Sequence, residues 1–132
     1  MFMITGPNGP FPNIPPAIET HVEFISDITK SSEERRERPQ VDSTNSTNGQ
    51  SEGPGSRGPL IEATKDGEEE WTKLCDEMSS GSLFRKTDSW IFGANVKGKK
   101  HAVLFYFGGL ASYRQRLRDV VEHNYKGYII KV

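Results

Sequence analysis

Cys75 and the three histidines, His21, His101 and His123, are the thiol and imidazole groups available for nucleophilic or metal chemistry in these 132 residues. One thiol excludes an intrachain disulfide framework, and three widely separated imidazoles lack the paired spacing of a zinc site. Cys75 also falls in the series Trp71, Leu74, Cys75, Met78, spaced i, i+3, i+4, i+7, which marks it as helix packing rather than a nucleophile. No GxSxG elbow is present to make a hydrolase serine. Glu68, Glu69 and Glu70 are consecutive, so on a helix their carboxylates diverge instead of converging as an acid/base pair. Gly53-Pro54-Gly55-Ser56-Arg57-Gly58 spells the dinucleotide string GxGxxG. That motif works between a strand and a helix N-terminus, whereas here a polar tract precedes it and a proline follows.

Binding surfaces remain. Lys97, Lys99 and Lys100 sit near two glycines, and Arg114, Arg116 and Arg118 alternate downstream. Residues 80–132 carry ten basic and three acidic side chains although the whole chain nets −1. This is either a solvated basic face or a landing site for a polyanion or nucleotide phosphate. Phe11, Ile14, Phe105 and Phe107 could wall an apolar pocket or pack an ordinary core. Trp90 lies in Thr87 to Lys100, a stretch with neither helical nor alternating periodicity. A large aromatic in such a loop either plugs the core or reaches a ligand.

Several elements must position these groups. Met1 to Thr5 is a short apolar run ended by Gly6-Pro7-Asn8-Gly9-Pro10, the pattern of a buried strand entering a tight loop, with its edge left unpaired at the start of the chain. Asn13 can cap a helix with Pro15 and Pro16 in its first turn and Ile18, Val22, Ile25 and Ile28 as its apolar stripe, stopping near Lys30. From Ser31 to Pro59 the one hydrophobic side chain is Val41, so residues 31–59 read as a disordered polar insert. Thr64 caps a second helix with an acidic first turn. Ala102 to Phe107 forms a strand ended by Gly108-Gly109. Tyr113, Leu117, Val120 and Val121 follow at helical spacing, then a turn at Asn124 to Gly127 and a closing strand, Tyr128 to Val132.

The apolar share, 33%, is below that of an ordinary globular chain, and the two foldable pieces, 1–30 and 60–132, are each small for an independent core. Marginal stability or association is therefore expected. The longest apolar runs are too short to cross a bilayer. The opening residues lack the charged n-region of a signal peptide, and with one cysteine a cytoplasmic location is expected. No nucleic-acid-binding motif is present.

Further features carry a family resemblance. Ile4-Thr5-Gly6-Pro7-Asn8-Gly9-Pro10-Phe11 with Pro15-Pro16-Ala17-Ile18-Glu19, Ile61-Glu62-Ala63-Thr64 through Trp71, Ser89-Trp90-Ile91-Phe92-Gly93-Ala94-Asn95, Gly98-Lys99-Lys100 and Phe105-Tyr106-Phe107-Gly108-Gly109 are involved. In these the chain resembles the carboxy-terminal part of type I Baeyer-Villiger monooxygenases of the cyclohexanone monooxygenase group. The resemblance implies an α/β (mixed α and β) fold, a partial remnant of a flavoprotein with two dinucleotide-binding domains. On that reading 1–30 belongs to the FAD/substrate region, 31–59 is an insert without counterpart of similar length, and 60–132 carries a helix, control loop, strand, helix and strand.

The resemblance implies that the complete enzyme uses FAD and NADPH to activate dioxygen and convert a ketone to an ester or lactone. It places Phe11, Pro12, Ile14, Phe105 and Phe107 in the ketone pocket and Trp90 on a mobile loop that reaches the nicotinamide cofactor and, on closing, excludes water. The chain has no usable FAD or NADPH glycine motif and no FxGxxxH fingerprint, because Tyr113 stands where the histidine belongs. Val96-Lys97-Gly98 replaces the family's aliphatic-Pro-Gly, putting a flexible cation where the family has a stiff proline. No catalytic residue and no metal ligand is assigned. The leading expectation is a truncated homologue that does not bind FAD or NADPH or turn over alone. The alternatives are a non-catalytic module or split-enzyme partner docking onto a flavoprotein, such as an upstream half or full-length paralogue, and a phosphate binder built on Lys97 to Lys100.

Overall fold

The structure, a computed structural model, describes residues 1–11, 13–37, 58–99 and 101–132. Pro12, Lys100 and residues 38–57 of the expected insert, including most of the GxGxxG string, lie outside them.

β1 (Gly9–Pro10) leads into α1 (Ile14–Glu37). Pro15 and Pro16 occupy its first turn, where amide hydrogens have no intrahelical partner and proline costs nothing. The expected stripe of Ile18, Val22, Ile25 and Ile28 is only partly the buried one. Ala17, Thr20, Ile28 and Ser32 are buried, while Ile18 and Val22 are exposed. Small residues face the neighbouring helix because they allow close approach, and Thr20 satisfies its own hydroxyl by donating to Pro16 O at 2.7 Å.

α1 also runs past the expected stop at Lys30. Its last turn is held by Arg35, which donates to Asn124 Oδ1 at 2.6 Å and lies over the Tyr125 ring. Residues 31–37 are therefore helical rather than part of a disordered insert. The tertiary anchor and the basic residues near the helix C-terminus outweigh the polar composition.

β2 (Leu60–Ala63) pairs antiparallel with β4 (Tyr128–Lys131), Leu60 opposite Lys131 and Ala63 opposite Tyr128. α2 (Lys65–Ser79) starts where expected: Thr64 Oγ1 accepts from Gly67 N, and Asp66 and Glu68 lie in the first turn. Its inward stripe of Trp71, Leu74, Cys75 and Met78 joins Ile91, Phe92, Val103, Tyr106 and Tyr113 in the core. Two 3-10 turns follow, Leu83–Lys86 and Trp90–Phe92. The expected strand from Ala102 to Phe107 contracts to β3 (Phe105–Tyr106), because its parallel partner β1 offers only two residues. α3 (Gly109–Glu122) then packs on α1, where Arg114 Nε donates to Thr20 Oγ1 at 2.8 Å.

Met1 to Thr5 is not a strand. Thr5 and Asn8 both have positive φ, 54° and 61°, which breaks the extended run, and Met1 to Ile4 are exposed. The segment turns back onto α1 instead.

Candidate functional site

Alternation along the strand sorts the residues around β3 onto two sides. Tyr106 points inward and is fully buried, its ring stacked on Trp71 at 5.2 Å with planes 7° apart. Its hydroxyl lies 2.6 Å from Ser112 Oγ and accepts from Arg116 Nε at 3.0 Å. Phe105 and Phe107 take the other side. Phe11 N–H donates to Tyr106 O, which carries the Phe11 ring to 5.1 Å from Phe105 and 5.9 Å from Phe107. Three of the five expected pocket residues thus meet in one aromatic patch. Ile14 is exposed at the start of α1, 59% accessible.

Trp90 comes to the same patch. Ser89 Oγ caps its 3-10 turn at Ile91 N, and Gly93 closes it in the left-handed region at φ 76°. Ile91 and Phe92 turn inward, whereas Trp90 stays 58% exposed, its ring nearly perpendicular to that of Phe105 with centroids 5.7 Å apart. Trp90 therefore does not plug the core.

The sequence reading missed Phe84 and Phe92 as members of this group. Phe84 lies 6.1 Å from Phe11 and 6.3 Å from Phe107, and Phe92 stacks on Phe107 at 6.2 Å with planes 6° apart. Ser82 caps the turn that carries Phe84. Arg85 fixes it from below through Asp76 and Ser79 and covers the Phe92 ring. A serine two residues ahead of an aromatic was the one available cue.

Polar chemistry gathers elsewhere. Burial pushes the Cys75 thiol up to about 11, an effect that the Arg116 cation only partly opposes, so the thiolate needed for nucleophilic work is suppressed. His21 Nε2 meets Tyr113 Oη at 2.7 Å, and His123 Nδ1 lies against Asp119 O. Among the described residues neither histidine has a serine or cysteine partner. Among the described residues no group of acids, histidines or cysteines could hold a metal ion. Of the three arginines on α3, Arg114 and Arg116 make internal bonds to Thr20 and Tyr106 instead of forming a polyanion face. Lys97 and Lys99 are exposed. No described helix is long and apolar enough to cross a membrane.

No family model matches the chain. Individual relatives do. It is 43% identical over its whole length to a cyclohexanone 1,2-monooxygenase of Acinetobacter sp, and 42% identical over 98% of its length to phenazine N-monooxygenase PhzNO1 of Lysobacter antibioticus. The crystal structure of cyclohexanone monooxygenase from Rhodococcus sp. Phi1 bound to NADP+ superposes on 98% of the chain with a TM-score of 0.76 and 45% identity. In each case the chain spans 20% of the relative's length. The helix-and-strand arrangement around the aromatic patch is thus a portion of the flavoprotein monooxygenase fold. More narrowly, the chain is homologous over nearly its whole length to Baeyer-Villiger and cyclohexanone monooxygenases and corresponds to a carboxy-terminal fragment of them.

One place among the described residues where a dinucleotide phosphate could rest is closed. β3, Gly108 and α3 make a strand–glycine–helix junction, the place where a pyrophosphate could rest on a helix N-terminus. That space is filled by the chain itself: a Cβ on Gly108 would come 2.5 Å from Tyr106 Oη and 2.6 Å from Cζ. FAD and NADPH therefore do not fit there.

Proposed function

We propose that this chain forms the substrate-side and control-loop portion of an FAD- and NADPH-dependent Baeyer-Villiger monooxygenase that converts a ketone to an ester or lactone. The observation that carries the reading is the aromatic patch, in which Phe11, Phe105 and Phe107 pack together beside an exposed Trp90 on a capped turn. Phe11, Phe105 and Phe107 face the ketone with Phe84 and Phe92 behind them, and in the complete enzyme Pro12 and Ile14 belong to the same ketone pocket. Trp90 faces the nicotinamide of NADPH. The oxygen-transfer chemistry belongs to the cofactors when bound on the remaining part of the enzyme. This chain's contribution is to orient an apolar ketone and exclude water. On this reading the isolated chain, a fifth of its relatives' length, binds neither cofactor and does not turn over alone, which the filled strand–glycine–helix junction supports. The ketone is left open by the relatives themselves, one of which is named for phenazine N-oxidation. A cytoplasmic location fits the single buried, unpaired cysteine.

The test is reconstitution with a separately expressed polypeptide supplying the other four fifths of a cyclohexanone monooxygenase. The mixture is expected to oxidise cyclohexanone with NADPH while the chain alone does not, and Trp90→Ala is expected to lower that activity tenfold or more. A lone chain purified with stoichiometric, tightly held flavin refutes the reading.

A second reading, a non-catalytic module docking onto a flavoprotein, is favoured by one observation. Ile14, Ile18 and Val22 form an exposed apolar stripe at four-residue spacing along α1. Stable complex formation with the same partner polypeptide but no ketone oxidation selects it.

A further inference from the structure

His21 stands outside the aromatic patch and has a different task. Thr5 N–H donates to its Nδ1 at 3.2 Å, so that nitrogen carries no hydrogen. Nε2 therefore holds the ring proton and donates it to Tyr113 Oη at 2.7 Å. This fixes a neutral imidazole of one tautomer between α1, α3 and the segment Met1 to Asn8. We propose that His21 is a pH-operated latch: neutral, it holds the Thr5 turn against α1, and protonation at Nδ1 releases that turn.

A proton on Nδ1 would point at the Thr5 amide hydrogen, replacing a hydrogen bond with two opposed donors. The surroundings offer the cation no compensation. α3 presents Tyr113, β4 presents Tyr128, α2 presents the uncharged Trp71, and the segment before Gly9 has no ionisable side chain and an exposed Met1 amine. Among the described residues no carboxylate lines the cleft in which His21 sits. Burial pushes Tyr113 and Tyr128 up, so both stay neutral across the range in which imidazole titrates, and burial likewise lowers His21. Thr5 has a φ of 54°, an unfavourable conformation for a threonine that outside contacts must hold in place. Release stops at Asn8, because Asn8 N–H donates to Leu104 O at 2.8 Å and Phe11 N–H to Tyr106 O at 3.3 Å without any titrating group.

The sign follows. A histidine whose proton affinity is lower in the folded chain stabilises the fold above its ordinary value of 6.5, and that contribution is lost as the pH falls below it. The latch is closed at pH 8 and opens on acidification.

The experiment follows the full-length chain by NMR from pH 8 to 5, recording the His21 ring carbons and the amides of Thr5, Asn8 and Phe11. The expected result is a His21 midpoint below 6.5, with Thr5 solvent exchange, corrected for its intrinsic pH dependence, rising at least tenfold at that midpoint. The Asn8 and Phe11 amides stay protected. His21→Gln keeps an acceptor without a titration, so its Thr5 amide stays protected at pH 5. The proposal is overturned if His21 titrates at its ordinary value with Thr5 indifferent, which is also what an unfolded chain gives. It is equally overturned if His21→Gln retains the inflection. Neither readout depends on enzymatic activity, so it stands or falls separately from the monooxygenase reading.

Discussion

Gly108→Ala isolates a steric effect that most glycine substitutions confuse with backbone strain. Gly108 has φ −76° and ψ −2°, which alanine adopts freely, so the new methyl group is the whole perturbation. It would come 2.5, 2.6 and 2.7 Å from Tyr106 Oη, Cζ and Cε1. The tyrosine cannot retreat: its ring is fully buried against Trp71, and its hydroxyl is held by Ser112 and Arg116. Overpacking of this kind costs about 1–3 kcal/mol. Displacing the hydroxyl from one partner adds about 1 kcal/mol. The stiffer unfolded chain returns about 0.5 kcal/mol. The expected net loss is about 1.5–3.5 kcal/mol. With a urea m-value of about 1.5 kcal/mol per M for this size, the midpoint falls by about 1–2.3 M. Tryptophan fluorescence is the natural probe, since Trp71 stacks on the affected ring. Gly81→Ala is the control, because nothing lies within 4 Å of a Cβ there. A Gly108→Ala midpoint equal to that of the control would refute the account of a filled strand–glycine–helix junction.

Three further outcomes are expected. Thr64→Ala removes the acceptor of Gly67 N–H at 3.1 Å and the donor to Gly127 O at 3.2 Å, costing about 1–2 kcal/mol in urea unfolding, most of which Thr64→Ser restores. Cys75 should resist a thiol reagent at pH 8 in the native chain and react at once in urea. Its folded pKa lies above the unfolded one, so its contribution to stability is present below pH 9 and disappears as the pH rises from 9 to about 11, as alkaline unfolding curves would show. Arg114→Met keeps the aliphatic stem but loses the bond to Thr20 Oγ1 at 2.8 Å, and should lower stability by about 1–2 kcal/mol by the same urea assay.

The elements legible in the sequence are those whose own residues decide them. α2 combines a side-chain cap, an acidic first turn and an uninterrupted apolar stripe, and its inward residues are the expected ones. The alternation of Phe105 and Phe107 around Tyr106 similarly shows which rings share a side. Elements decided by a distant partner were not legible. β2 has two apolar residues followed by Glu62 and owes its extended form to β4. The last turn of α1 depends on Arg35 finding Asn124 and Tyr125, which no local pattern announces. At the site, periodicity could not tell whether Trp90 faced inward, because a 3-10 turn sends successive aromatics in opposite directions and Phe92 took the interior place. Phe84 was invisible for the same reason: its neighbours Leu83, Arg85 and Lys86 share no face that pattern alone could orient.

The parallel pairing of Gly9 with Phe105 has a consequence for biosynthesis. These residues are roughly a hundred positions apart, so during translation the first must wait for the second to leave the ribosome. At about 5–20 residues per second that is on the order of 5–20 s, far longer than a helix takes to form. Through that interval Phe11, Ala17 and Ile28, which the fold packs against later parts of the chain, are uncovered, a natural target for a nascent-chain chaperone. Synonymous codons that slow elongation before residue 105 should therefore reduce soluble yield without altering the protein.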